Sequence, residues 1–277
     1  MQPDLYTVIG GSGFVGCRLA TFLRAASHAV FVPLRDDARL FTQPLGRVLY
    51  CAGLTADFAA RPFDTVQAHV SLLARVLQES DFEHLVYLSS TRLYDSLGEN
   101  NGCLAGENLP LLLDTNQPRH LYDLSKALGE NLCLTTAGNR AAVARLSNVY
   151  DWKKDAPGFL SALLQRASVQ KNLELNSFGG VVRDYIHLDD VVAALYAMSA
   201  QGATGIVNVA SGENVSNDEI ACVFRDLGWS ITLRRQSALQ RPARCAVERL
   251  AALGVQPRAV RDVLRECLTT GDFDAAA

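Results

Sequence analysis

At 277 residues the chain can bury a large core, as one big α/β domain or two closely joined ones. A net charge of −3 without a basic block leaves no electrostatic footprint for nucleic acid, and no apolar run approaches the roughly 20 residues that span a bilayer. The seven cysteines form no Cys-x-x-Cys pair and the five histidines sit far apart, so the reading is reduced thiols in a cytoplasmic protein, with no metal site.

An apolar run, Tyr6-Thr7-Val8-Ile9, begins so early that no signal peptide is expected. It meets three glycines, Gly10, Gly13 and Gly16, and residues 17–26 then alternate at helical spacing. Strand, glycine turn and helix make the context of a dinucleotide fingerprint: tight turn, close backbone approach to a pyrophosphate, and a helix N-terminus aimed at it. A tight turn without a ligand is the competing reading.

Residues 28–34 read as the second strand. Leu34 stands where an acidic residue would hold ribose hydroxyls, and Arg35 follows, which favours NADP over NAD; Asp36 and Asp37 keep NAD open. Only about a dozen residues separate Arg35 from the next strand, 47–51, too few for a full βαβ crossover. The third strand and its helix are therefore either missing or reduced to a stub near residues 39–45. Cys51, Ala52 and Gly53 follow and should lie along the cofactor.

Residues 65–80 predict a helix with an apolar stripe at Val66, Val70, Leu73, Val76 and Leu77. Strand 84–88 delivers Ser89-Ser90-Thr91 to its carboxyl end, where ligands of open parallel sheets sit. Residues 97–118 read as a loop over the site, 122–137 as a helix and 141–146 as a strand ending in Ser147-Asn148. After a polar loop at 152–157, a helix is expected at 159–169, a short strand at 185–187, a helix at 191–198 and a last core strand at 206–209. The remainder reads as mostly helical, with a frayed tail at 274–277. Alternating β and α elements with an irregular late half indicate a doubly wound α/β sheet plus a smaller C-terminal lobe covering the substrate.

Tyr122 and Lys126 stand at i and i+4, on one face of their helix. A free tyrosine, with a pKa of about 10, is a poor base near neutrality, and a neighbouring ammonium favours its phenolate. A hydroxyl from Ser90 could hold a substrate oxygen beside that phenol. Tyr-x-x-x-Lys alone is common on helix surfaces; after a nucleotide fingerprint and a strand-end Ser-Ser-Thr it reads as catalytic.

These pieces resemble the extended short-chain dehydrogenase/reductases, the nucleotide-sugar epimerase/dehydratase family. The resemblance also runs through Cys51-Ala52-Gly53-Leu54-Thr55, Leu88-Ser89-Ser90-Thr91-Arg92-Leu93-Tyr94, Arg145-Leu146-Ser147-Asn148-Val149-Tyr150, Val182-Arg183-Asp184-Tyr185-Ile186-His187 with Asp190, and Asn208-Val209-Ala210-Ser211-Gly212. It implies a Rossmann-type dinucleotide domain at residues 1–148 plus 184–212 and a substrate lobe at 149–183 plus 213–277. Gly10, Ser12, Gly13, Phe14, Val15, Gly16, Arg35, Cys51, Ala52, Gly53, Leu88, Tyr122 and Lys126 would hold the cofactor. Tyr122 would be the acid/base, Ser90 the catalytic hydroxyl, and Lys126 the group that holds the nicotinamide ribose and tunes the phenol.

Thr55, Ser90, Thr91, Asn148 and Arg183 would face the substrate, with Arg183 either at a nucleotide diphosphate or paired with Asp184. His187 is read as structural packing, and a homodimer through helices 65–80 and 122–137 is implied.

Departures from the family pattern narrow the activity. Arg92 stands where sugar-nucleotide dehydratases carry an acid, which disfavours dehydration. Thr65 and His69 replace an Asn and a Thr, which makes His69 an unusual pocket-side candidate, although a helix-surface histidine is the preferred reading. Tyr150-Asp151-Trp152 replaces Tyr-Gly-Pro, and Arg241-Pro242-Ala243-Arg244 replaces Arg-x-Gly-Asp. The leading expectation is an NADP(H)-dependent 4-ketoreductase or epimerase acting on a nucleotide sugar in carbohydrate biosynthesis. Reduction of a smaller ketone and non-catalytic NADP sensing are the alternatives; the set Ser90, Tyr122 and Lys126 argues against a sensor.

Overall fold

The structure, a computed structural model, describes residues 4–97, 102–153, 155–235 and 238–271. Strand β1 (Leu5–Ile9) is buried along nearly its whole length, as a central parallel strand must be. Helix α1 (Phe14–Ala25) starts at the glycine turn, earlier than the sequence suggests, and buries Gly16, Leu19, Ala20 and Leu23 along one face. Strand β2 is only Ala29–Phe31 and pairs in parallel with β1.

The shortened crossover is the missing-strand alternative. Between β2 and β3 (Arg47–Tyr50) there is only a 3₁₀ turn, Ala38–Phe41, capped by the Asp37 carboxylate. β3 pairs with β1 on its other side, so β2 ends the sheet, while Leu40 and Leu45 bury themselves in the core that a helix would otherwise cover.

Helix α2 (Pro62–Val66) runs through a π-helical turn, Gln67–Ser71, into α3 (Leu72–Glu79). Strand β4 (His84–Ser90) follows, then a 3₁₀ segment, Thr91–Leu97, and a two-residue strand β5 (Leu104–Ala105) inside what reads as loop. Residues 98–101 of that expected loop, position 154 of the next one and the tail at 274–277 lie outside the described residues.

Helix α4 (His120–Thr136) and strand β6 (Ala141–Leu146) complete the first run. After β7 (Asn148–Tyr150), α5 (Phe159–Ala167), β8 (Asn172–Phe178), β9 (Val182–His187) and α6 (Leu188–Ala200), strand β10 (Gly205–Val209) returns to the main sheet.

That sheet has six parallel strands in the order β10-β6-β4-β3-β1-β2. Residues of α1 and α6 (Leu19, Leu23, Val191, Leu195, Met198) pack on one set of sheet side chains. Residues of α3 and α4 (Leu73, Val76, Cys133) pack on another, with Tyr50, Leu85, Tyr87 and Val143. Two separate apolar layers make the sheet doubly wound.

The last segment is less helical than expected. Strands β11 (Asn214–Ser216), β12 (Ser230–Arg235) and β13 (Arg244–Cys245) interleave with α7 (Asn217–Asp226), α8 (Glu248–Ala252) and α9 (Val260–Thr270). They are too short to show a two-residue period over several repeats. A second core joins α5, α7 and α9 to the small sheets β11-β9-β7 and β12-β8. Among the described residues no helix is long and apolar enough to cross a membrane.

Candidate active site

Gly10 closes β1 with φ +83°, and a side chain there would come within 2.6 Å of the Ala52 backbone nitrogen. A Cβ at Gly16 would overlap the Gly10 carbonyl oxygen, so these two glycines bring α1 against the turn. Gly13 caps α1 without any side-chain bond, and the first helical turn holds no acid. Ser12 and Gly13 are exposed, with Phe14 and Val15 half-buried behind them. Amides at the start of a twelve-residue helix, left without a capping side chain at its positive dipole end, suit a pyrophosphate.

Cys51, Ala52 and Gly53 leave β3 across from this turn, and Cys51 accepts no reactive role, since burial pushes its thiol up to about 12. Arg35 is exposed beyond β2. Asp37 is occupied: it holds Arg39 at 2.7 Å, and Arg39 lies over the Phe31 ring.

At the carboxyl end of β4, Ser90 accepts the Arg92 backbone N–H at 3.2 Å, and the Ser90 and Thr55 hydroxyls stand near enough to the Tyr122 phenol to favour its ionised form. Tyr122 is 4% exposed. Burial pushes its phenol above the ordinary tyrosine value, while Ser90, the Arg92 cation and Thr55 pull it back.

Lys126 lies one helical turn on, also buried. Its Nζ donates to the Leu88 carbonyl at 2.7 Å and stands 4.9 Å from the Tyr87 ring centroid. Burial lowers its pKa to about 7, opposed chiefly by Glu130. Glu130 is itself committed to Arg145, whose Nη2 reaches it at 2.6 Å in the buried layer that ties α4 to β6.

On the substrate side, Thr91 donates to the Leu146 carbonyl at 3.3 Å, and Asn148 is exposed while donating to the Asp184 carbonyl at 2.9 Å. The Asp184 carboxylate accepts the backbone N–H groups of Ser211 (2.9 Å) and Gly212 (2.7 Å), and Arg183 is instead beside the Tyr185 phenol. The paired-ion reading of Arg183 therefore fails, because its neighbour's oxygens serve a backbone turn. His187 is structural, as read: it caps α6 by accepting the Asp189 N–H and stacks on Trp152 with centroids 4.4 Å apart.

A family model, NAD dependent epimerase/dehydratase, matches residues 38–210. The chain belongs to the NAD-dependent epimerase/dehydratase family. It is an enzyme of the extended short-chain dehydrogenase/reductase type, and a nicotinamide cofactor goes with that membership. No curated protein matches it in sequence.

Among solved structures it is similar to MoeE5 in complex with UDP-glucuronic acid and NAD, at 21% identity over 97% of this chain and 98% of that one, TM-score 0.76. It is similar also to UDP-glucose 4-epimerase with UDP-glucose from Thermotoga maritima, at 18% identity over 95% and 97% of the two chains, TM-score 0.75. A third is RMD from Pseudomonas aeruginosa complexed with NADPH, at 25% identity over 97% and 99%, TM-score 0.70.

Two residues that set this family member apart stand in the site, and the sequence reading undervalued both. His69 is fully buried, not on a helix surface. The π turn inserts a residue into the helix, so the buried face is Thr65, His69, Leu73 and Val76, while Val66 is exposed. The carbonyls loosened by that turn are satisfied by tyrosines: Tyr50 donates to Ala68 O at 2.7 Å and Tyr87 to His69 O at 3.2 Å. The other is Arg92, whose guanidinium lies against the Tyr122 ring. Each was marked in sequence only by its departure from the family pattern.

Proposed function

We propose that the protein is an NADP(H)-dependent oxidoreductase that transfers hydride at a secondary alcohol or ketone of a nucleotide-activated sugar, as a 4-ketoreductase or an epimerase. The observation that carries this reading is the convergence of the Tyr122 phenol with the Ser90 and Thr55 hydroxyls at the carboxyl end of β4. The glycine turn fits the cofactor's pyrophosphate because the first amides of α1 have no capping side chain and the turn's Ser12 and Gly13 are exposed. Arg35, Cys51, Ala52, Gly53 and Leu88 would hold the remainder, with Lys126 at the ribose.

The nicotinamide, when bound, supplies the hydride donor or acceptor. Tyr122 moves the proton to or from the substrate oxygen, and Ser90 steadies that oxygen by hydrogen bonding. A buried, neutral phenol is suited to donating a proton to a developing alkoxide, which is the reductive direction. Asn148 and Arg183 face the substrate, the arginine fork matching diphosphate oxygens. The NADP preference rests on Leu34 in place of a ribose-binding acid and on Arg35, which is exposed and for which no ion pair occurs among the described residues.

Arg92 at the dehydratase acid's position leaves β-elimination without its carboxyl group. A cytoplasmic homodimer completes the reading: Phe63 (88% exposed), Val66, Leu128 and Leu134 give α2 and α4 apolar surface that a second copy would cover.

The test is a screen of nucleotide sugars and 4-keto nucleotide sugars with NADPH, following nicotinamide absorbance and product stereochemistry. Net cofactor oxidation identifies a reductase, and stereoisomer exchange without it an epimerase. Absence of both across the panel contradicts the proposal.

A further inference from the structure

Arg92 occupies a place that neither binding nor folding has yet accounted for. Its Cζ stands 5.0 Å from the Tyr122 ring centroid and 4.9 Å from that of Phe58, and the two rings are 5.5 Å apart. The guanidinium is thus packed against the acid/base residue. Its own backbone N–H donates to Ser90 Oγ, so one residue touches both reacting side chains. Because Ser90 Oγ accepts that bond, its hydroxyl hydrogen is left for the phenol or the substrate oxygen.

We propose that Arg92 is the positioning residue and electrostatic partner of Tyr122, a permanent cation packed on the phenol that favours its ionised form and orients Ser90 beside it. The proposal rests on the acid/base reading of Tyr122 given above.

The charges around the phenol support this division of labour. From α4, Lys126 donates to the Leu88 carbonyl, and with a pKa lowered to about 7 by burial it is only partly charged near neutrality. Just before α4, at its N-cap, Arg119 pairs with Asp95 of the 3₁₀ segment at 3.1 Å. His69, from the π turn, meets the Tyr122 ring edge-on at 5.4 Å, and burial pushes its pKa down to about 3, so it carries no charge at neutral pH. The His120 ring, also on α4, accepts the Asp114 N–H at 2.8 Å.

Asp123 opposes Arg92 from the same helix. Its carboxylate is fully buried, lies 3.8 Å from Arg92 Nε and 3.7 Å from Arg119 Nε, and has no hydrogen-bond partner. The guanidinium is therefore close to its counter-ion without being consumed by a bidentate bond. A guanidinium differs here from an ammonium, whose pKa shifts readily on burial. From the loop after β3, Thr55 and Phe58 stand beside Tyr122, and neither bears a charge.

The decisive experiment measures Tyr122 directly. A fluorinated tyrosine at position 122, whose phenol ionises within an accessible pH range, is titrated by ¹⁹F NMR in the full chain without substrate. In Arg92→Gln the proton affinity of that phenol rises at least tenfold, Arg92→Lys restores most of the difference, and Arg119→Gln, which removes an equal charge paired with Asp95 instead of packed on the ring, shifts it less. An unchanged titration in Arg92→Gln, or equal shifts in Arg92→Gln and Arg119→Gln, overturns the proposal. This readout needs no turnover, so it fails or stands separately from the functional reading, which Tyr122→Phe tests by activity.

Discussion

The His69 imidazole and the Ser125 hydroxyl lie 2.8 Å apart, and that bond joins the π turn to α4. Nε2 of the same ring accepts the Leu54 N–H at 3.1 Å, so a neutral imidazole must carry its proton on Nδ1 and donate it to Ser125. Ser125 in turn donates to the Tyr122 carbonyl at 2.9 Å. Every hydrogen in this chain has one direction. Replacing His69 by Leu strands the Leu54 amide and removes the Ser125 donor, each loss costing about 1–3 kcal/mol. Chemical denaturation of the His69→Leu chain is expected to show a loss of that order, and an unchanged midpoint would contradict the arrangement.

The same histidine sets a pH dependence. Burial, helped by Lys126, lowers its folded-state pKa to about 3, below the ordinary 6.5. Between those values the unfolded chain binds a proton that the folded chain refuses, so stability falls as pH drops through 6.5 toward 3, at up to about 1.4 kcal/mol per pH unit. Denaturation at pH 7, 6 and 5 is expected to give a slope that flattens in His69→Gln.

Arg35 is expected to discriminate cofactors. Arg35→Ala should raise the dissociation constant of NADPH at least tenfold while changing that of NADH less than threefold. Equal effects on the two would remove the NADP assignment.

Behind the site, Arg145 and Glu130 form a buried pair that also touches Tyr94, with Arg145 Nη1 donating to that phenol at 2.8 Å. Removing one partner leaves an uncompensated charge in the core. Glu130→Gln is expected to cost about 3–5 kcal/mol. A smaller loss in thermal or denaturant unfolding would show that the pair is hydrated.

Most of the fold was legible because its signals are local. The glycine turn, the strand-end Ser90 and the i, i+4 spacing of Tyr122 and Lys126 each follow from a few neighbouring residues, and chain length alone shows the crossover to be shortened, leaving its structure to decide between a missing strand and a stub. The π turn was not legible, since one inserted residue in a helix leaves the apolar pattern nearly intact while rotating Val66 outward and His69 inward. Nor was the position of Lys126, which the i, i+4 rule places beside the phenol but whose amine the Leu88 carbonyl holds. Both depend on partners distant in sequence, Tyr50 and Tyr87 for the turn and β4 for the lysine.

The central claim is that Tyr122 transfers the proton in an NADPH-linked reaction on a nucleotide sugar. It is tested most directly by comparing the wild-type and Tyr122→Phe chains for NADPH consumption and stereoisomer exchange on the substrate that the screen identifies. The account predicts that Tyr122→Phe loses at least a thousandfold in turnover while binding NADPH with nearly unchanged affinity. Turnover retained at the wild-type rate would contradict it.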